Sequence, residues 1–383
     1  MIKSCKIKLL PNQKQEQLLW EHVNTSRFVW NWGLAFEEGL FKNGEKHLSG
    51  YSLKKELVKL KQQEDFKWLN KVSSQTLSGI VLDLDIAYKR FFEKKCNKPK
   101  FKKKFKAKSK FPIRYDRMYF KNNCVNIEKI GKIKYQTDYA LPQGIKCRFS
   151  NPRIKYENNK WILSFGIEFE KQEQELTNNS MGIDLGIKDL ATISFGDKKI
   201  VFKNINKTKK VKKLKSKLKH LQRKVSRKYH TNNKKKVFDK NWHKSNSILK
   251  TEKQIKDIYG RLSNIRKNYT HHCTTELVKL YPCRIVMEDL NIIGMMKNKH
   301  LSKAILEQTL YEFKRQIKYK CEWNGIEFVQ AGRFYPSSKT CSECGHIKKD
   351  LKLSDRIYKC NCCGFEIDRD YNASINLMNY SIV

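Results

Sequence analysis

Ser180-Met181-Gly182-Ile183-Asp184-Leu185-Gly186-Ile187-Lys188-Asp189-Leu190-Ala191-Thr192-Ile193-Ser194-Phe195 sets two apolar runs either side of a Gly-Ile-Lys turn, with one acid, Asp184, inside the first run. Strand-forming residues bounded by such a turn read as a β-hairpin, so Asp184 is a carboxylate carried on a strand. Desolvating a carboxylate is costly unless a cation or donors compensate, and an acid at the open face of a sheet is well placed to hold a metal. A solvated turn or edge acid is the alternative, and this stretch alone leaves both readings open.

Two further acids occupy comparable settings. Arg284-Ile285-Val286-Met287-Glu288-Asp289-Leu290 is a short buried-type strand that ends in an acid pair, with Glu288 directly after three apolar residues. Asp368-Arg369-Asp370-Tyr371-Asn372-Ala373-Ser374-Ile375-Asn376-Leu377 puts acids at the start of a helix whose Ala373, Ile375 and Leu377 are expected to face a core. Three carboxylates delivered by two strands and a helix start are what an RNase H-like sheet uses to clamp two divalent ions, roughly 4 Å apart, around a phosphoryl displacement.

A cysteine module lies just upstream of Asp370. Cys341-x2-Cys344 and Cys360-x2-Cys363 are each followed by a glycine, Gly345 and Gly364, which gives two knuckles able to surround one Zn²⁺ with four thiolates. Cys362 sits inside the second pair; the spacing and the matching glycine favour Cys363, with a shifted ligand choice as the alternative. A closed Cys₄ site is structural, and its role would be to hold the chain before Asp370. Cys5, Cys96, Cys124, Cys147, Cys273, Cys283 and Cys321 have no local partner and read as small apolar residues of a reducing compartment.

Gly-Ile-Asp-Leu-Gly-Ile-Lys-Asp, Met-Glu-Asp-Leu and the double Cys-x-x-Cys module followed by Asp-Arg-Asp-Tyr-Asn-Ala-Ser-Ile-Asn closely resemble the RuvC-like nuclease of the transposon-encoded TnpB family, related to the compact type V CRISPR effectors. Lys8-Leu9-Leu10-Pro11-Asn12-Gln13 and Arg27-Phe28-Val29-Trp30-Asn31-Trp32 resemble that family's opening. The resemblance implies that Asp184, Glu288 and Asp370 are catalytic ligands of two Mg²⁺ ions, replaceable by Mn²⁺. It also implies a guide RNA from the transposon end, and cleavage of double-stranded DNA beside a short adjacent motif in a single RuvC site. A monomer with its RNA is the expected assembly. A nuclease-inactive RNA-guided regulator and an unguided RNase H-like nuclease or transposase are the rival readings.

The 383 residues suffice for two or three domains, and 81 Lys+Arg against 38 Asp+Glu give a formal charge of +43. A field of that sign favours a polyanionic partner, here nucleic acid rather than a membrane. No apolar leader follows Met1 and no stretch approaches the length of a membrane-crossing helix, so a cytoplasmic, nucleoid-associated location is expected.

The expected architecture is α+β and multidomain. Residues 1–12 read as an edge strand ending at Pro11, and the β-like patterning from Tyr119 to Glu170 completes a small barrel with it. Apolar stripes at helical spacing between them form an inserted lobe. By the resemblance, 1–12 and 98–176 are a wedge domain and 13–97 a recognition lobe whose exposed face at Tyr51, Ser74, Gln75 and Ser78 reads the adjacent motif. Residues 177–338 and 367–383 are then the RuvC-like domain and 339–366 its zinc ribbon, with a linker over 171–179.

Two basic segments are assigned to nucleic acid. In residues 98–112, Lys100, Lys102, Lys103 and Lys104 alternate with Phe101, Phe105 and Phe111, pairing charge with rings that stack on bases or anchor the loop. Residues 203–240 hold one acid, Asp239, among many lysines, while Leu214, Leu218, Leu221 and Val225 keep helical spacing. Lys212, Lys213, Lys217 and Arg223 of that helix would follow a duplex backbone. A second helix through Ile255, Ile258, Leu262, Ile265 and Tyr269 leads to Glu288, and one further helix is expected from Leu301 to Trp323 with Leu306 inward.

Overall fold

The computed structural model describes residues 2–104, 106–137, 141, 149–169, 174–236, 244–352 and 355–381, with backbone alone over 232–236. Phe105, Cys147, residues 171–173 of the expected linker and residues 237–240 of the basic run, Asp239 among them, lie outside the described residues. The chain forms two compact units, Met1–Glu170 and Lys171–Val383. Both mix helix and sheet, as expected for an α+β chain.

In the first unit, β1 (Ile2–Leu10) is followed by α1 (Gln13–Lys42), α2 (Gly50–Gln62), a 3-10 segment (Glu64–Lys71) and α3 (Ser74–Phe92). Then come β2 (Lys110–Pro112), β3 (Tyr119–Lys121), β4 (Cys124–Ile127), β5 (Gly131–Gln136), β6 (Phe149–Glu157) and β7 (Lys160–Glu168). The seven strands make one sheet in the order β2-β6-β7-β1-β5-β4-β3, every pairing antiparallel. β1 therefore lies in the middle of the sheet rather than at an edge. Pro11 falls just past the strand, so it removes no ladder hydrogen bond.

One face of every strand feeds a common core that includes Ile7, Phe111, Phe120, Val125, Ile133 and Leu163. The sheet covers that core with one face and leaves β2 and β3 as edges that do not pair with each other, so it is an open sheet where a barrel was expected. Asn12 starts α1 with a reciprocal cap: its side chain accepts from Gln15 N at 2.9 Å, and the Gln15 side chain accepts from Asn12 N at 3.1 Å. The helices inserted between β1 and β2 bury Val29, Leu34, Leu53, Leu57, Leu77 and Leu84 against one another.

In the second unit, β8 (Thr177–Leu185), β9 (Asp189–Phe195) and β10 (Lys198–Lys203) precede α4 (Lys209–Lys236), α5 (Asn246–Val278), β11 (Pro282–Glu288), α6 (Ile292–Met295), α7 (Ser302–Gln308) and α8 (Leu310–Asn324). β12 (Glu327–Ala331), β13 (Ile357–Lys359), β14 (Glu366–Asp368) and α9 (Arg369–Met378) complete it. The main sheet has the order β10-β9-β8-β11-β12, with antiparallel pairing through β8 and parallel pairing from β8 to β12. Residues 177–179, expected in a linker, begin β8 instead, where Thr177 N donates to Tyr281 O at 2.7 Å.

Side chains alternate across β8. Met181 and Ile183 join Ile193, Ile285 and Met287 in a core under Leu277 of α5 and Phe313 and Ile317 of α8. The opposite face belongs to α9, whose Leu377 packs on Val286. The helix expected from Leu301 to Trp323 is two helices. Thr309 at φ +57° separates α7 from α8, and Leu306, expected inward, is exposed.

Candidate active site

The register of β8 and β11 pairs Ile183 with Met287, so the next residue of each strand, Asp184 and Glu288, comes side by side where two parallel strands end. Burial pushes the Asp184 carboxyl well above the usual carboxylate range, and the charges of Glu288 and then Asp370 push it further, against Arg369. Burial raises Glu288 too, partly offset by the Ser337 hydroxyl that donates to it. Asp289 behaves oppositely: Arg333 at 2.7 Å and Lys314 at 3.4 Å hold its carboxyl below the ordinary range. Strand alternation thus divides the acid pair between two environments, and only Glu288 shares the setting of Asp184.

The third acid arrives on α9, and Gly182 is what lets it approach. A Cβ at Gly182 would lie 2.0 Å from Ser374 O and 2.3 Å from Met378 N, so the α9 backbone rests directly on β8. Asp368 caps the helix by accepting from Tyr371 N at 3.0 Å, which leaves Asp370 in the first turn. Arg369 at 3.2 Å and Arg356 at 4.0 Å flank the Asp370 carboxylate.

The expectation that Ala373, Ile375 and Leu377 are the inward set holds for the first and last only. Ile375 is half-buried, whereas Asn372, Ser374 and Asn376 are buried. Their polarity has a use. Asn372 donates to Thr340 O at 2.6 Å and accepts from Ser342 N at 3.0 Å, while Asn376 donates to Ser337 O and Thr340 O, each at 2.7 Å. Through Ser337 that network reaches Glu288.

The donor set fits divalent cations. Mutual repulsion and burial leave Asp184 and Glu288 short of positive charge, the deficit a hard cation on oxygen ligands relieves. The carboxylates are not drawn together as tightly as thiolates in this chain. Among the described residues, the one group of three or more His, Cys, Asp or Glu side chains with donor atoms within 4.8 Å of one another is Cys341, Cys344, Cys360 and Cys363.

That group is compatible with a structural zinc. Cys341 and Cys363 Sγ are 3.7 Å apart and Cys344 and Cys360 Sγ 3.5 Å. The backbone amides of Cys363 and Cys362 point at Cys360 Sγ, donors of the kind a thiolate ligand accepts. Cys362 is exposed and outside the cluster. Tyr358, fully buried behind it, donates to Lys339 O and His346 O.

Of the residues assigned to nucleic acid, Lys212, Lys213, Lys217 and Arg223 are exposed on α4, whose other face packs Val211, Leu218 and Leu221 on Ile258 and Leu262 of α5. Tyr51, Ser74, Gln75, Lys100, Lys103 and Lys104 are exposed or half-buried. Ser78 is not: it is buried on the face of α3 that carries Leu77 and Val81, where i, i+3 and i, i+4 neighbours share a surface. Lys102 has its ammonium 3.3 Å from the centre of the Trp30 ring and its backbone held by Asn31 at 2.8 and 3.1 Å. Phe111, in β2, is buried in the core of the sheet, and Phe101 is exposed.

Several residues that build the acidic site carry no signal of their own in the sequence. Gln308 is buried and donates to Gly186 O and Ile187 O, pinning the turn that follows Asp184. Gly182, two residues before Asp184 and so on its face, is readable from period-2 alternation; Ser337, Asn372 and Asn376 are not.

Comparison with known proteins finds similar sequences along nearly the whole chain. Three family models match in succession: a "Helix-turn-helix domain" over residues 1–46, the OrfB/IS605 model described as "Probable transposase" over 154–299, and the "Cas12f1-like, TNB domain" over 311–377. The first of these covers β1 and the single helix α1 rather than two helices. The chain is 29% identical to "Putative RNA-guided DNA endonuclease InsQ" of Escherichia coli K12, over 98% of this chain and 92% of that protein. It is 29% identical to "CRISPR-associated endodeoxyribonuclease Cas12f1" of Sulfoacidibacillus thermotolerans, over 57% of this chain and 50% of that one. In fold it is similar to the Cas12f1 chain of a Cas12f1–sgRNA–target DNA complex, with a TM-score of 0.53, 14% identity and 99% of each chain covered. The chain is thus similar over nearly its whole length to proteins named as RNA-guided DNA endonucleases, and over residues 154–299 to the OrfB/IS605 family model.

Proposed function

We propose that this protein is an RNA-guided DNA endonuclease that hydrolyses both strands of a target beside a short adjacent motif, in one RuvC-like site. The observation that carries the reading is the pair Asp184 and Glu288 at the ends of adjacent parallel strands, with Asp370 near enough to raise the Asp184 carboxyl further. The strand order β10-β9-β8-β11-β12, antiparallel then parallel, supports an RNase H-like domain over 177–338 and 367–383, with a zinc ribbon over 339–366. The open sheet would be the wedge domain, 1–12 and 98–176, and α1 to α3 the recognition lobe, 13–97.

Asp184, Glu288 and Asp370 are the residues that would hold two Mg²⁺ ions, which when bound supply Lewis-acid stabilisation to the phosphate oxygens. The protein's own part is positional. Ser337 orients Glu288, Asn376 of α9 holds Ser337, and Arg369 and Arg356 flank Asp370 at the rim. Sequence choice would rest with base pairing to the guide, and the protein would read backbone shape through Lys212, Lys213, Lys217 and Arg223. Tyr51, Ser74 and Gln75 are the proposed readers of the adjacent motif.

The test is to purify the protein from cells that carry its flanking DNA, sequence the RNA that comes with it, and assay Mg²⁺-dependent cutting of a plasmid matching that RNA. A discrete RNA is expected, with cutting abolished by Asp184→Ala while RNA binding persists. Degradation of any DNA without a bound RNA would defeat the guided reading.

A further inference from the structure

The link from β12 to the first cysteine knuckle opens with Gly332, Arg333, Phe334, Tyr335, Pro336 and Ser337, which border the acidic site. Their backbone is tied down. Gly332 N donates to the Tyr380 hydroxyl at 3.3 Å, Tyr335 N to Gly332 O at 3.0 Å, and Ser337 N to Tyr335 O at 2.9 Å. The side chains are tied down as well. Arg333 bonds Asp289, the Tyr335 ring packs edge-on against Tyr380 at 4.8 Å with its hydroxyl on Asn376 O, and Ser337 bonds Glu288.

Phe334 is the exception: the residue is 92% exposed. Single exposed apolar side chains are ordinary on protein surfaces, so exposure alone means little. Here the ring projects from a loop in which Arg333, the residue before it, bonds Asp289, and Ser337, three positions after it, bonds Glu288. Two residues lie between Phe334 and Ser337, so the two Cα atoms are at most about 11 Å apart. An aromatic side chain on a tied-down loop, within that chain distance of the Ser337 that bonds Glu288, has little use for an anionic phosphate. It suits the flat π-face of a nucleobase, and a base offers that face only when it is unstacked from a duplex.

We infer that Phe334 is a base-stacking residue, which holds an unpaired nucleotide of the strand to be cut so that its neighbouring phosphate reaches Asp184, Glu288 and Asp370. The inference rests on the nuclease reading of that site and adds to it a single-stranded substrate subsite.

The test uses the RNA-loaded protein in an Asp184→Ala background, with single-stranded DNA carrying 2-aminopurine at successive positions. Stacking on Phe334 quenches the probe at one or two positions; Phe334→Ala relieves the quench, Phe334→Trp restores it and Phe334→Leu does not. In the cutting-competent protein, Phe334→Ala and Phe334→Leu lower kcat/KM about tenfold and Phe334→Trp recovers it. Because the ring is in solvent, these variants retain the fold, which a thermal melt checks. Equal signals and equal rates for Leu and Trp, or no change in Phe334→Ala, would overturn the inference while leaving the nuclease reading intact. Absence of cutting by the unmodified protein would sink the nuclease reading, and the fluorescence would still report whether Phe334 stacks.

Discussion

At Gly182 the missing side chain is the functional feature, because the α9 backbone fills the space a Cβ would take. Gly182→Ala would drive that helix off β8. Overpacking against backbone that has nowhere to move costs about 3 kcal/mol or more, and Asp370 leaves with the helix. A fall in Tm of the second unit, together with abolished cutting, is expected; an unchanged melt would show that α9 sits farther from the strand. Lys102 offers a separate test in the first unit. Burial, with Lys110 and Arg153 adding and Asp83 opposing, brings its ammonium down to about 7. Between that value and the unfolded lysine value near about 10.4, the unfolded chain binds more protons, so the destabilisation is complete at low pH and fades as pH rises. Lys102→Met should therefore raise Tm most at about pH 6 and little by about pH 10, measured as paired melts of the nucleic-acid-free protein. An equal gain at both would point to packing on Trp30 instead.

At the scale of elements, α9 shows how a helix can be read correctly while only part of its buried face is legible. Its start at Asp368 and Asp370 is legible from capping chemistry, but the buried set includes Asn372 and Asn376, one turn apart, because a carbonyl-rich loop and not an apolar surface covers that face. The consequence is mechanical coupling of the cysteine cluster to Asp370. Stripping the metal with a chelator should remove hydrogen-exchange protection from Lys339 to Glu366 and from the first turn of α9, and zinc should restore both. Protection of α9 that survives chelation would mean that packing on Gly182 suffices. The break between α7 and α8 has a similar origin. Thr309 accepts a left-handed conformation that a β-branched residue disfavours, and Gln308 is thereby set against the turn after Asp184. Periodicity continues through such a break, so apolar spacing alone could not locate it.

For the molecule as a whole, the charge of +43 sets the kind of partner, while the fold sets where the charge is presented. The apolar stripe of α4 is committed to α5, so Lys212, Lys213 and Lys217 project from the free side. Replacing these three with Gln should weaken target binding at every sequence and lower the salt slope by about 0.9 for each phosphate no longer neutralised. A change confined to one target sequence would argue for base reading instead. The amino-acid sequence by itself determined the α+β composition, the hairpin around Asp184, the four-cysteine spacing and the nucleic-acid-seeking charge, because each is a local pattern of residue type and period. Only the tertiary structure decided that β11 lies parallel beside β8, that β1 is central, that Ser78 is buried, and that Ser337, Gln308 and two asparagines support the acids. Period reports which face of an element is apolar. It carries no information on which distant element will cover that face, or on which polar groups will meet across the interface.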